Sequence, residues 1–228
     1  MLRELADGLW VTEMSASMMG FEHGARMTVV RLKAGGLFVH SPIPLTVALR
    51  RELDAHGAVR CIVAPAKLHY EHVPELAAAY PEARVWAVPA LAARLKRFNW
   101  AGALGDEPPD EWAGTLRQSQ FHGSRLYDEV DFFHPASQTL ILTDLCFNIP
   151  NDSGAWTRFV ARQLGILGRL SASKSFGMSV KDRTAVRASL QRILEWDFDR
   201  VILSHATIVE SGGKAAFRAA FERFLAAY

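Results

Sequence analysis

The chain has 228 residues, of which 50% are hydrophobic and 22% charged, a balance typical of folded globular proteins. Its 26 basic and 24 acidic residues give a formal net charge of +2, too weak a field to favour nucleic acid as a partner. Arg26, Arg31 and Lys33 interrupt the first hydrophobic region well short of the roughly 20 apolar residues that cross a bilayer. The first residues also lack the apolar segment of a signal peptide. We therefore expect a cytoplasmic protein that binds neither membranes nor nucleic acids.

The two cysteines support the same compartment. Cys61 and Cys146 both lie in apolar runs that predict strands, and two cysteines do not make a disulfide framework. A chain of this length buries roughly 70% of the surface that its unfolded form exposes, so its core needs no covalent support. We expect two buried free thiols in a reducing environment.

The first half of the chain predicts antiparallel strands followed by alternating strands and helices. Apolar alternation or β-branched runs predict strands over residues 9–14, 27–32, 37–40, 59–64 and 84–88. Apolar residues at helical spacing predict helices over residues 44–56, 72–80 and 90–98. Strands that alternate with helices indicate a sheet with helices packed on it.

The second half repeats this order after residues 101–114. This segment is rich in glycine and proline and contains four acids, so we predict a solvated loop and the one candidate linker. The predicted strands are 116–122, 129–133, 139–143 and 200–203. The predicted helices are 156–167, 180–196 and 214–225, with an irregular Ser/Gly-rich segment at 171–177. Two related halves of this kind predict two facing sheets with helices outside.

Polar side chains follow four of the predicted strands at the point where each strand ends. His40 ends one strand, the run 67–72 follows the next, and Asp144 and His205 end two later strands. Open sheets usually bind ligands at such carboxyl ends, and divalent metals need imidazole and carboxylate donors that converge. We expect His69, Asp144 and His205 to line one cleft, with His40 as a fourth candidate. Ordinary capping and turn residues are the alternative interpretation. The chain has neither a phosphate-binding glycine loop nor a G-x-S-x-G motif, so nucleotide binding and serine hydrolysis are not favoured.

This order of features resembles the metallo-β-lactamase fold: a strand, a histidine-rich loop that enters a helix, a hairpin ending in Thr143-Asp144, and a strand followed by Ser204-His205. The resemblance spans nearly the whole chain. Residues 64–65, 80–83 and 132–144, together with His69, are most similar to a branch known only as a domain of unknown function. The resemblance implies a mixed α/β (α+β) protein, an αββα sandwich of two mixed sheets with helices on the outer faces. It also implies one domain over residues 1–228, in which 101–114 lies between the halves.

The superfamily's metal motif is H-x-H-x-D-H, and the same register here holds Lys67, His69, Glu71 and His72. Because a protonated lysine cannot bind a metal, the resemblance implies one metal ion rather than two.

The ligands that the resemblance implies are His69, His72, Asp144 and His205, and His40 replaces His72 as the alternative. His122 lies near the place of the superfamily's mid-chain histidine, about three residues early. Whether His122 or His40 completes the site stays open at this point.

The resemblance implies a hydrolase in which one zinc ion, or else iron or manganese, activates water to attack a small-molecule substrate. Glu71 or Asp144 would accept the proton, and Lys67 would stabilise negative charge on an ester, amide or phosphoester oxygen. The alternative is a protein without catalysis or metal that binds a small ligand, or that assembles as a homo-oligomer through its sheet edges or terminal helix. Iron-based redox chemistry is a third alternative, which the missing ligands disfavour.

Overall fold

The computed structural model describes residues 1–226, so residues 227–228 of the predicted domain lie outside the described part of the chain. Two β-sheets face each other and carry helices on their outer faces, which confirms the predicted αββα sandwich. The strands are β1 Arg3–Ala6, β2 Leu9–Met14, β3 Ser17–Met18, β4 Phe21–Glu22, β5 Ala25–Arg31, β6 Leu37–His40, β7 Val59–Ala64, β8 Arg84–Ala87, β9 Gly102–Ala103, β10 Arg117–Gln120, β11 Val130–His134, β12 Thr139–Leu142 and β13 Arg200–Leu203. The helices are α1 Val47–His56, α2 Val73–Ala79, α3 Pro89–Arg94, α4 Ala155–Leu164, α5 Lys174–Ser179, α6 Arg183–Leu194, α7 Gly213–Ala220 and α8 Glu222–Leu225.

The first sheet has seven strands in the order β1-β2-β5-β6-β7-β8-β9, and the second has four in the order β10-β11-β12-β13. Strands β3 and β4 form a separate hairpin. Both sheets are mixed, because β6, β7, β8 and β9 pair in parallel in the first, and β12 and β13 pair in parallel in the second. The carboxyl ends of these parallel strands are where polar loops emerge.

Side-chain alternation along the strands of the second sheet builds two apolar layers. Phe132 and Ile202 pack with the first sheet, whereas their neighbours Phe133 and Leu203 pack under α5 to α8. Successive side chains of a strand point to opposite faces, so a continuous apolar run is buried on both sides. This accounts for the short apolar strands that the sequence shows.

Parallel register aligns the loops that carry polar residues. Thr139 pairs with Arg200 and Leu142 with Leu203, so Asp144 and His205 each come two residues after paired strand ends. On the first sheet His40 pairs with Val63. The register therefore places the loops after β6 and β7 together at one end of the first sheet, and the loops after β12 and β13 together at one end of the second.

Three predicted segments differ from the structure in more than their bounds. The segment predicted to be irregular, residues 171–177, contains the first four residues of α5, whose first turn is capped by the Ser173 side chain and anchored by the buried Phe176. The predicted helix 214–225 is two helices, which separate at Phe221. The predicted solvated loop 101–114 contains β9, and its Trp112 is fully buried against Phe38.

The cysteines are both free and buried, as predicted. Within residues 1–226, no helix is both long and apolar enough to cross a membrane.

Candidate metal centre

Three metal-ligating side chains meet at the ends of the two sheets. His69, Asp144 and His205 each offer one ligand atom, and these atoms all lie within 4.8 Å of one another. The Nε2 atoms of His69 and of His205 each lie 3.2 Å from the same oxygen, Asp144 Oδ1. The three side chains are mostly buried, with Asp144 the most accessible at 22% exposed. Residues more than 60 positions apart in sequence therefore form one polar cluster.

The second nitrogen of each imidazole is fixed by a separate contact. His69 Nδ1 lies 2.7 Å from Ser41 Oγ, and His205 Nδ1 lies 2.7 Å from the Gly24 carbonyl oxygen. A carbonyl oxygen only accepts hydrogen bonds, so His205 must carry its proton on Nδ1. In its neutral form, His205 then presents the Nε2 lone pair to a carboxylate oxygen, which is also an acceptor. Two acceptors 3.2 Å apart require a proton or a cation between them.

The donor geometry fits a metal ion. Zinc bonds of about 2.0–2.1 Å at tetrahedral angles put neighbouring donor atoms about 3.3 Å apart, close to the two separations from Asp144 Oδ1. Two imidazoles and one carboxylate are also a donor set that catalytic zinc uses, and three protein ligands leave a fourth position open. Metal-binding histidines characteristically donate their other ring N–H to an oxygen, as His205 does to Gly24.

A buried glutamate holds the loop that carries Asp144. Both carboxylate oxygens of Glu129 accept backbone N–H groups, Oε1 from Thr143 at 3.2 Å and Oε2 from Asp144 at 2.9 Å. Glu129 is fully buried, and burial together with the charge of Asp144 raises its pKa. Asp131 lies on the same face of β11 and is also fully buried, and burial and the charge of Glu129 raise its pKa well above the usual value. Burial therefore disfavours ionisation of both carboxyl groups.

Opposite charges dominate the electrostatics of the three-residue cluster. Burial alone would raise the pKa of Asp144, but the charge of His69 and hydrogen bonds from His205 and His69 outweigh burial and lower it. Burial alone would lower the pKa of His69, but the Asp144 carboxylate outweighs burial and raises it. The metal-free cluster therefore holds an ionised carboxylate beside a histidine that protonates readily. A divalent cation at this place would displace that proton and add one further positive charge beside the carboxylate.

His23 is a further histidine beside the cluster. Its Nδ1 lies 2.8 Å from the Gly24 oxygen and 3.1 Å from His205 Nδ1. A carbonyl oxygen has two lone pairs, so Gly24 can accept both N–H groups at once. Burial and the neighbouring His205 lower the pKa of His23, which favours its neutral form. The two rings therefore share the Gly24 oxygen as acceptor, and they lie edge to face with their centroids 4.7 Å apart.

The cluster forms part of the wall of a large cavity of about 1080 Å³. The same wall contains Lys67, Glu71 and His72. The side chain of His72 does not join the three-residue cluster, because its Nδ1 lies 3.9 Å from Glu75 Oε2 in the first turn of α2. Glu71 is exposed to the cavity. Lys67 Nζ lies 3.7 Å from Asp128 Oδ2 and donates to the Arg125 carbonyl oxygen, so its charge is already paired.

His40, the alternative ligand, lies outside the cavity wall. Its side chain is fully buried in β6 against the Phe132 ring, and neither ring nitrogen has a hydrogen-bond partner. Burial, with a smaller effect of His69, lowers the pKa of His40 to about 3, so it is neutral at physiological pH. His122 is also outside the cluster, because it is about half exposed and lies 3.7 Å from Asp106. The structure therefore brings together three of the five predicted ligands.

Sequence reasoning did not identify Ser41, Glu129 or His23. A signal was present for Glu129, since Glu129 and Asp131 are two acids on one face of an otherwise apolar strand. Ser41 and His23 lie in short turns with no such pattern.

Comparisons with known proteins agree with this architecture. Residues 6–93 match the model of a domain of unknown function (DUF4336). No match was found among curated proteins. Among solved structures, the chain is similar to the metallo-β-lactamase from Pontibacter korlensis, with a TM-score of 0.67, 12% identity, and 98% of each chain covered.

Two further structures extend the comparison. The metallo-β-lactamase FIM-1 from Pseudomonas aeruginosa in the mono-zinc form aligns with a TM-score of 0.64 and 10% identity over 99% of this chain and 92% of that one. The Flv1 flavodiiron core from Synechocystis sp. PCC6803 aligns with a TM-score of 0.69 and 12% identity over 99% of this chain and 60% of that one. At these identities the similarity shows the fold: this chain has the metallo-β-lactamase fold.

Proposed function

We propose that this metallo-β-lactamase-fold protein is a hydrolase that uses one metal ion, zinc or else iron or manganese, held by His69, Asp144 and His205. The observation that carries the proposal is the acceptor pair His205 Nε2 and Asp144 Oδ1, which face each other at 3.2 Å while Gly24 fixes the proton of His205 on Nδ1. A divalent cation satisfies both atoms, and His69 Nε2 supplies the third donor at the same distance from Asp144. FIM-1, a relative in fold, has a mono-zinc form.

Such an ion supplies Lewis acidity and lowers the pKa of water at its open position toward about 7, so that hydroxide is available at neutral pH. Neighbouring residues orient the three proposed ligands of this ion. Ser41 and Gly24 fix the two imidazole rings, and Glu129 fixes the backbone that carries Asp144. Because the contacts come from separate strands and loops, the ligands are held in place before any ion binds.

The remaining groups of the cavity wall have complementary roles. The lowered pKa of Asp144 makes it a good ligand and a weak base, which leaves Glu71 as the carboxylate of the wall that would accept the proton from water. Lys67 is one-third exposed at the same wall and would stabilise negative charge on an ester, amide or phosphoester oxygen. Its partner Asp128 keeps the ammonium near the cavity.

The test is hydrolysis of 4-nitrophenyl acetate and bis(4-nitrophenyl) phosphate by zinc-loaded and chelator-treated protein. We expect zinc-dependent release of nitrophenol that His205→Ala abolishes. His122→Ala is the matched control, because His122 is partly exposed outside the cavity and should leave the rate unchanged. Equal rates in the zinc-loaded and chelator-treated protein, or full activity in His205→Ala, would contradict the proposal.

The second candidate is a protein that binds a ligand without catalysis. The contacts of Asp144 favour it, because Asp144 can accept hydrogen bonds from both imidazoles when they are protonated. The cluster then needs no metal ion to satisfy its polar atoms. Lys67 occupies the position of the superfamily's first histidine, so one metal ligand is missing, which also favours this second candidate. A zinc titration discriminates the two candidates, because the second predicts no stoichiometric binding.

A further inference from the structure

The cavity beside the metal centre is mostly apolar. Its volume of about 1080 Å³ slightly exceeds the range of about 300–1,000 Å³ that is usual for small-molecule sites. Side chains of Ile43, Phe147 and Ile166 line it, and Ile166 belongs to a small buried cluster with Ile149. Its lining also contains polar groups, among them the His69, Asp144 and His205 cluster and a basic edge. A cavity of this composition favours a ligand with a substantial apolar part.

The rim of this cavity is apolar as well. Nine large hydrophobic side chains are exposed in the described part of the chain, and five of them line this one cavity. They come from four separate segments of the chain: Met18, Met19, Leu68, Leu126 and Trp156. Exposed apolar groups that converge on one opening, rather than scatter over the surface, are typical of a binding site. The rim residues therefore extend the apolar wall to the surface.

One edge of the cavity is cationic. Arg94 donates to the Lys67 carbonyl oxygen, and Lys67 donates to the Arg125 carbonyl oxygen, so the three residues form a continuous edge. Lys67 is paired with Asp128, and Arg94 stacks on the ring of Tyr70. Among residues 1–226, the exposed guanidinium of Arg125 has no hydrogen-bond, ion-pair or aromatic partner. A planar guanidinium that is free at a cavity wall suits a carboxylate or phosphate group.

We infer that the ligand of this cavity is an anionic amphiphile, a single molecule whose apolar chain or ring system fills the cavity and whose negatively charged group pairs with Arg125. The inference rests on the proposed function, since it places the cleaved bond of such a substrate beside His69, Asp144 and His205. Water-soluble molecules without an apolar part would leave most of the wall and the five rim residues without a partner. Cationic amphiphiles would meet Arg125 with the same charge.

The experiment is calorimetric titration of the full chain with three probes, each below its micelle concentration. Decanoate has the chain and the anion, butyrate has the anion without the chain, and decyltrimethylammonium has the chain with the opposite charge. We expect saturable binding of one decanoate per chain, at least about tenfold tighter than butyrate, because six further methylenes are buried. Decanoate should also bind about tenfold more tightly than decyltrimethylammonium.

Matched variants locate the binding. Arg125→Gln should weaken decanoate binding by about threefold to tenfold and reduce its advantage over decyltrimethylammonium. Arg51→Gln is the control, because Arg51 is an exposed arginine of α1 outside the cavity. The double variant Met18→Ser with Leu126→Ser should weaken decanoate binding by a similar factor.

The control for that double variant is Met178→Ser with Val47→Ser, which removes equally exposed apolar groups that do not line the cavity. Decanoate that binds no tighter than butyrate, or that is unaffected by both cavity variants, would overturn the inference. Protein that pellets with phosphatidylglycerol vesicles but takes up no decanoate would overturn it in favour of a bilayer surface.

The titration is run on zinc-loaded and on chelator-treated protein, which separates the inference from the proposed function. Binding of decanoate to protein that neither holds zinc nor hydrolyses esters would support the inference while the proposed hydrolase fails. Zinc-dependent hydrolysis without binding of decanoate would overturn the inference and leave the hydrolase standing.

Discussion

The contact between Ser41 and His69 gives a direct test of how the proposed metal centre is built. Ser41 is buried, and its hydroxyl lies 2.7 Å from His69 Nδ1, on the side of the ring away from Asp144. Ser41→Ala removes this contact and leaves the three proposed ligands in place. Loss of such a partner costs about 10- to 100-fold in metal affinity, or about 1.4–2.7 kcal/mol, because the ligating ring is no longer held in one orientation.

The assay is competition for zinc between the protein and a chromophoric chelator, at fixed pH and ionic strength. Ser119→Ala is the matched control, because Ser119 is buried to the same extent as Ser41 and its hydroxyl has no hydrogen-bond partner. We expect Ser119→Ala to bind zinc as the unmodified protein does, and Ser41→Ala to bind at least about tenfold more weakly. Equal zinc affinity in the two variants would refute the role of Ser41 and the orientation of His69.

Three further predictions concern stability and pH. Glu129→Gln leaves one acceptor oxygen for the two backbone N–H groups that Glu129 binds, so the free energy of unfolding should fall by about 1–3 kcal/mol in urea titrations; an unchanged value would contradict this role. Because Asp144 raises the pKa of His69, the metal-free protein should lose stability as pH rises through that raised pKa. Zinc binds only the neutral ring, so the increase in Tm that zinc causes should grow over the same pH interval. A zinc effect that shrinks with rising pH would argue against His69 as a ligand. Gly123→Ala puts a Cβ 2.4 Å from a backbone oxygen at a φ of +92°, so it should lower the free energy of unfolding by more than about 2 kcal/mol. Gly105→Ala is the control, because its Cβ would have nothing within 4 Å. Equal urea midpoints for the two variants would refute this prediction.

Much of the fold could be predicted from local patterns. The bounds of β2, β6, β7 and β13 match the predicted strands, because each is a short apolar run that ends at a turn or polar residue. The pattern missed α5, since Ser, Lys and Gly outnumber apolar residues there and burial of Phe176 stabilises the helix only in the folded protein. The β3–β4 hairpin was also missed, because its two-residue strands are too short for alternation to be visible.

The site could be predicted only in part. Asp144 and His205 follow directly after strands, so their sequence positions are informative about their place in the fold. His72 was predicted as a ligand because the resemblance implies one at the last position of the H-x-H-x-D-H motif, but the motif does not show where the loop ends in this chain. The helix begins at Val73, and this turns the His72 side chain toward Glu75. His40 ends a strand in the expected way, yet its side chain points into the packed layer between the sheets, where its ring contacts that of Phe132.

The most direct test of the metal centre is elemental analysis of the protein purified without added metal or chelator, followed by equilibration with excess zinc. A centre formed by His69, Asp144 and His205 predicts about one metal ion per chain. The variants Asp144→Ala and His205→Ala should lose that ion while they retain cooperative thermal unfolding. A chain that binds no metal even with excess zinc, or variants that keep their full metal content, would contradict a metal centre at these residues.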